Sequence, residues 1–75
     1  MPPHYHINVF WYEPDRCWIS DVPDLSGCSA HGETPTEAVR EAEVAIGLWL
    51  DVAREHGNVI PEPRYRPAIY AAHAA

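Results

Sequence analysis

The sequence predicts an α+β fold, a three-stranded antiparallel sheet with one helix packed on a face of it. Three features point that way. Tyr5 to Tyr12 alternates with a period of two and is rich in aromatic and β-branched residues, the pattern of a strand with one strongly apolar face. The stretch from Asp21 to His31 is broken by Pro23 and Gly27, which excludes one continuous ladder and asks for short strands joined by tight loops. Thr34-Pro35-Thr36-Glu37 has the form of a helix start, ahead of a long segment with an apolar stripe at helical spacing.

In the first strand Tyr5, Ile7, Val9 and Trp11 share one face, and His6, Asn8, Phe10 and Tyr12 share the other. Glu13-Pro14-Asp15-Arg16 follows, with Pro14 where its fixed φ suits a type I turn, and Cys17-Trp18-Ile19-Ser20 resumes as the second arm of a hairpin. The third strand is expected over Cys28 to His31. The helix is expected over Pro35 to His56, with Thr34 as N-cap, Glu37 reaching back as a capping box and Gly57 as the C-terminal stop. Ala38, Ala42, Ala45, Ile46, Trp49 and Ala53 form its packing stripe, flanked by Val39, Leu50 and Val52, so Trp49 is expected to be largely buried. Val44 and Leu48 lie off that stripe, one turn apart on an otherwise charged side, which suggests a contact with a partner. Pro61, Pro63 and Pro67 exclude a long helix in the tail, where Ile69-Tyr70 is expected as a short C-terminal edge strand.

At 75 residues the chain is read as a single domain, 1–75. A chain this small buries only about 60–65% of the surface its unfolded form exposes, so oligomerisation is an expected source of added stability. Two cysteines, Cys17 and Cys28, are too few for a secreted disulfide scaffold, and Met1 to His6 lacks the basic and apolar regions of a signal peptide. The chain is therefore read as cytoplasmic, with reduced thiols. No apolar stretch approaches the roughly 20 residues needed to cross a bilayer. Eleven acidic residues against five arginines, with no lysine, give a formal net charge of −6. That balance opposes binding to phosphate backbones, so no specific DNA binding is expected of this chain, and it suits a basic protein partner.

Catalytic machinery is not visible. His4, His6, His31, His56 and His73 have neither the count nor the spacing of a zinc site, and no CxxC or HExxH pattern occurs. Asp21, Asp24 and Glu33 would be the acids of a metal-dependent hydrolase, a distant alternative, although Asp24 between Pro23 and Gly27 has an adequate explanation as a turn residue. The cysteines read as small buried hydrophobes, and the three tryptophans as packing residues without the basic groove of a nucleic-acid platform. The residues thus describe a non-enzymatic domain with no cofactor.

The order Val22-Pro23-Asp24-Leu25-Ser26-Gly27-Cys28, then Gly32-Glu33-Thr34-Pro35-Thr36-Glu37-Ala38, then Trp49-Leu50, and Gly57 followed by Ile60-Pro61-Glu62-Pro63, resembles the HicB-like antitoxin domain of bacterial toxin–antitoxin systems. The family pattern reads roughly VPDLPGC, GDTxEEA, a helix ending near WL, and GxxIPxP. Ser26 stands where the family has Pro and Glu33 where it has Asp; neither change disturbs a turn or a cap. The resemblance implies a partial RNase H-like β-β-β-α-β fold without the metal-binding acids of active RNase H enzymes. It also implies that the chain binds and neutralises a small basic HicA-like mRNA-cleaving toxin. Many family members carry a C-terminal DNA-binding domain, which is not expected in this chain. The alternative is an orphan homo-oligomeric domain without a toxin. Asp21, Asp24, Glu33, Val44 and Leu48 are the candidate toxin contacts. Phe10, Tyr12, Tyr65, Ile69 and Tyr70 are the candidate interface of a homodimer or larger even oligomer, because interface cores favour aromatic anchors.

Overall fold

The structure, a computed structural model, describes residues 4–65. Its elements are β1 (Asn8–Tyr12), β2 (Cys17–Asp21), β3 (Ser29–Gly32) and α1 (Pro35–Glu55). They form the expected three-stranded antiparallel sheet, in the order β1-β2-β3, with one helix packed against it. Both β1 and β3 begin later than the sequence pattern suggested, by three residues and one residue (8 − 5 and 29 − 28), and β3 extends to Gly32. The predicted strand at Ile69-Tyr70 lies outside the described residues.

The β1–β2 connection is a 3-10 turn over Glu13–Asp15, in which the Arg16 N–H donates to the Glu13 carbonyl at 3.1 Å. Arg16 then turns the chain into β2 with φ at 51°, a left-handed conformation that a non-glycine residue adopts at a small cost. Register assigns the faces. Val9 lies opposite Ser20 and Ser20 opposite Ala30, while Trp11, Trp18 and Gly32 form the next such row. These rows face α1; Asn8, Asp21 and Ser29, then Phe10, Ile19 and His31, then Tyr12 and Cys17 occupy the open face.

The start of α1 is set by Thr34, whose Oγ1 accepts the Glu37 N–H at 3.1 Å, and by Pro35 in the first turn, where no N–H is needed. Among the described residues the Glu37 carboxylate makes no reciprocal bond to Thr34, so only half of the predicted capping box forms. The helix ends in a Schellman motif: the Asn58 N–H donates to the Ala53 carbonyl at 2.8 Å, the Gly57 N–H to that of Arg54 at 3.1 Å, and Gly57 takes φ 67°. Close packing at the other end depends on Gly32, because a Cβ there would lie 2.6 Å from the Ala38 nitrogen. Glycine is what lets β3 touch the first turn of the helix.

The core joins Tyr5, Val22, Leu25, Cys28, Ala42 and Leu50, with Ile7, Ile46, Trp49 and Ile60 packed around it. It sits at the end of the sheet where the β2–β3 loop folds over. Within that loop Leu25 N–H donates to Val22, Cys28 N–H to Leu25, and Val22 N–H to Cys28, at 3.0–3.1 Å, with Gly27 at φ 73°. Trp49 is half-buried rather than largely buried: its indole Nε1 reaches the rim of this loop and donates to the Ser26 carbonyl at 2.9 Å. Val52, expected beside the packing stripe, is exposed instead.

Candidate protein-binding surface

Two of the sequence-predicted contact residues are occupied within the chain or point elsewhere. Asp24 projects from the β2–β3 loop to the tail, where its carboxylate accepts the Arg64 N–H at 3.1 Å and the Tyr65 N–H at 3.2 Å. This seam continues through Tyr5, whose hydroxyl donates to the Pro61 carbonyl at 2.5 Å, and through the His6 ring, which lies 4.5 Å from that of Tyr65. Burial, reinforced by the Asp24 charge and opposed by Arg54, raises the Tyr5 phenol above its ordinary pKa. Asp21 lies on the open sheet face between Asn8 and Ser29, and with burial its charge raises the Cys28 thiol. Among the described residues no three His, Cys, Asp or Glu side chains converge as a metal site, so Asp21, Asp24 and Glu33 do not form one.

Glu33 borders one hollow beside β3, Leu48 lines a second that adjoins it at Ser29, and Val44 stands one turn from Leu48 on the helix surface, lining neither. Glu33 is exposed at the end of β3, and Val44 and Leu48 are 58% and 63% exposed on α1. The structure adds three neighbours that sequence reading passed over: Glu37, Glu41 and Val52, the last 51% exposed. The spacing 37, 41, 44, 48, 52 puts all five on one flank of the helix, within about 80° of arc at 100° per residue. Reading the stripe as a single face of mixed character, acidic then apolar, would have found them.

That flank lies beside β3, an edge strand of the sheet. Two concavities meet at Ser29. One, about 450 Å³, is apolar and lined by Cys28, Ala45, Leu48, Trp49 and Val52 among others; the second, about 660 Å³, is predominantly acidic, bordered by Asp15, Glu33, Glu37 and Glu41 with Arg16 and His31. Among the described residues the outer edge of β3 has no strand paired with it. Because the Val22 N–H donates to Cys28, the antiparallel alternation turns Cys28, Ala30 and Gly32 toward β2 and leaves N–H and C=O of Ser29 and His31 pointing outward. A free strand edge, an apolar hollow and a row of carboxylates in one place suit a protein partner better than a small-molecule reaction.

A family model described as HicB_like antitoxin of bacterial toxin-antitoxin system matches residues 5–73. The chain belongs to the HicB-like antitoxin family. It is 36% identical over 44 residues to the UPF0150 protein ssl0259 of Synechocystis sp., covering 59% of this chain and 60% of the relative. It is 31% identical over 49 residues to the UPF0150 protein Ta0767 of Thermoplasma acidophilum, covering 65% and 71%. No solved structure matches the chain. The chain spans about three-fifths of the length of the Synechocystis relative. No helix among the described residues is long and apolar enough to cross a membrane.

Proposed function

We propose that the chain binds and neutralises a small basic HicA-like toxin by protein contact, without catalysing a reaction. The observation that carries this reading is the α1 flank, where Glu37 and Glu41 and the acidic Glu33 stand beside exposed Val44, Leu48 and Val52. In a molecule of net charge −6, such a surface attracts a basic protein over distance and holds it by apolar contact. Asp24 belongs to the fold in this account, and Asp21 borders the surface from the open face of the sheet. The test is coexpression with the small basic protein encoded beside this chain, followed by titration calorimetry of the purified pair. A stable complex that abolishes mRNA cleavage is expected. A neighbour that does not bind overturns the reading, as does Mg²⁺- or Mn²⁺-dependent nuclease activity of the chain itself that disappears in Asp21→Asn.

A second reading, self-association as an orphan or as an assembly of antitoxins, is favoured by the open sheet face, where Phe10 is 46% and Tyr12 41% exposed beside half-buried Ile19. Tyr65 adjoins this side through His6, and Ile69 and Tyr70, also proposed for the interface, lie outside the described residues. Sedimentation equilibrium should give an even oligomer that Phe10→Lys dissociates; a monomer at tens of micromolar removes this reading.

A further inference from the structure

We infer that β3 is the strand to which the partner attaches: an incoming strand pairs with the free edge at Ser29 and His31, its helix-side residues basic toward Gly32 and apolar toward Cys28. The inference rests on the antitoxin reading for the identity of the partner and goes beyond it in naming the mode and chemistry of recognition. Three observations lead to it. The outward N–H and C=O groups of Ser29 and His31 are a row of donors and acceptors with no strand beside them among the described residues. Strand addition satisfies such groups directly. Alternate residues of an added strand then project to the helix side, where they meet Glu37 and Glu41 at one end and Leu48 and Val52 at the other.

Charge decides between occupants. If a second copy paired β3 with β3 about a two-fold axis, the antiparallel arrangement would lay Glu37 and Glu41 of each copy over Leu48 and Val52 of the other. Those carboxylates would lose water and gain no cation, an unfavourable exchange. A strand bearing Arg or Lys opposite the acidic half and Val, Ile or Leu opposite the apolar half meets no such penalty. The opposite edge, β1, lacks this flank: α1 lies chiefly over β3 and β2.

The full chain is tested with two probes: a short blocked peptide of alternating Arg and Val, and the small basic protein encoded beside the chain. Amide hydrogen exchange should slow at Ser29 and His31 with either probe, and a Glu–Val peptide or an Arg–Val peptide N-methylated at alternate residues should have no effect. His31→Pro, at an outward N–H where proline is tolerated, and the double reversal Glu37→Lys/Glu41→Lys should each weaken binding by about tenfold or more, with Val59→Ala, at an exposed position after the helix, within about twofold. Unchanged circular dichroism establishes that both variants fold, and the charge reversal decides the matter if His31→Pro does not fold. An Arg–Val peptide that fails to bind, or that protects Val9 and Trp11 on the β1 edge instead, overturns the inference. Protection of Ser29 and His31 in the chain alone as its concentration rises shows a second copy in place and also overturns it. A neighbour that binds without protecting β3 defeats this inference and leaves the antitoxin reading standing; a neighbour that does not bind while the peptide result holds defeats only the antitoxin reading.

Discussion

The seam that ties the tail to the β2–β3 loop and the flank of α1 beside β3 are built on opposite rules. In the seam polar groups are answered from within the chain: Tyr5 by Pro61, and the Arg64 and Tyr65 amides by Asp24, as the Trp49 indole of α1 is by Ser26 of the same loop. Along the flank, Val44, Leu48 and Val52 face solvent, Glu33, Glu37 and Glu41 form no ion pair among the described residues although Arg16 borders the same hollow, and no strand among those residues pairs with the outer edge of β3. The contrast teaches that acidic residues of similar appearance in the sequence have different work. Asp24 spends its charge on backbone N–H groups of its own chain, whereas Glu37 and Glu41 leave theirs at the surface with no ion pair among the described residues.

The sharpest way to break that contrast uses two leucines two positions apart on α1. Leu50 is fully buried in the core and Leu48 is exposed. Leu50→Ala should cost about 2–5 kcal/mol in urea unfolding, and Leu48→Ala about 0.5 kcal/mol or less. Equal losses would show that the flank is part of the core. Next in size is Gly32→Ala, where the added methyl meets the Ala38 nitrogen and the Glu37 backbone; a loss of about 1–3 kcal/mol is expected, read as a lower urea midpoint. Asp24→Ala should cost about 1 kcal/mol, a value reduced by partial exposure, and should speed exchange of the Arg64 and Tyr65 amides selectively. Unchanged exchange there would show that the carboxylate does not hold the tail.

Alkaline pH probes the seam and the adjoining core together. Tyr5 and Cys28 both bind their protons more tightly in the folded chain than in the unfolded one, because burial disfavours the phenolate and thiolate. Their contribution to stability is therefore complete below the ordinary thiol and phenol values, about 8.5 and 10, and is lost as pH rises through the raised folded values. The melting temperature should fall in two stages, the first absent in Cys28→Ala and the second in Tyr5→Phe. The smallest effect belongs to Ser20, fully buried on the helix-facing side of β2 with no hydrogen-bond partner for its Oγ among the described residues. Ser20→Ala should raise stability by up to about 1 kcal/mol, since it removes an unsatisfied hydroxyl without leaving a large void.

Much of the fold was legible because its signals are local. Period-two alternation marks β1, Pro14 its turn, and Thr34-Pro35 and Gly57 the two ends of α1. What escaped depends on contacts between distant parts of the chain. Nothing near Asp24 announces that it will receive the amides of residues 64 and 65, and nothing near Gly32 announces that Ala38 will press against it. Trp49 looks central on a helical wheel but stands at the rim, because the loop at Ser26 gives its indole N–H an acceptor there. Of the candidate surface, Val44 and Leu48 stood out as apolar residues on a charged side, whereas Val52 was concealed by its position next to buried Ala53.

The most direct measurement of the central claim is titration of the small basic neighbour protein into Glu37→Lys/Glu41→Lys and, in parallel, into Asp24→Ala, with the melting temperature of each variant recorded beforehand. The account predicts that the charge reversal leaves melting nearly unchanged and removes most of the affinity, while Asp24→Ala lowers the melting temperature and, below that temperature, binds as the unaltered chain does. Loss of binding in Asp24→Ala with full affinity retained in the charge reversal would contradict it.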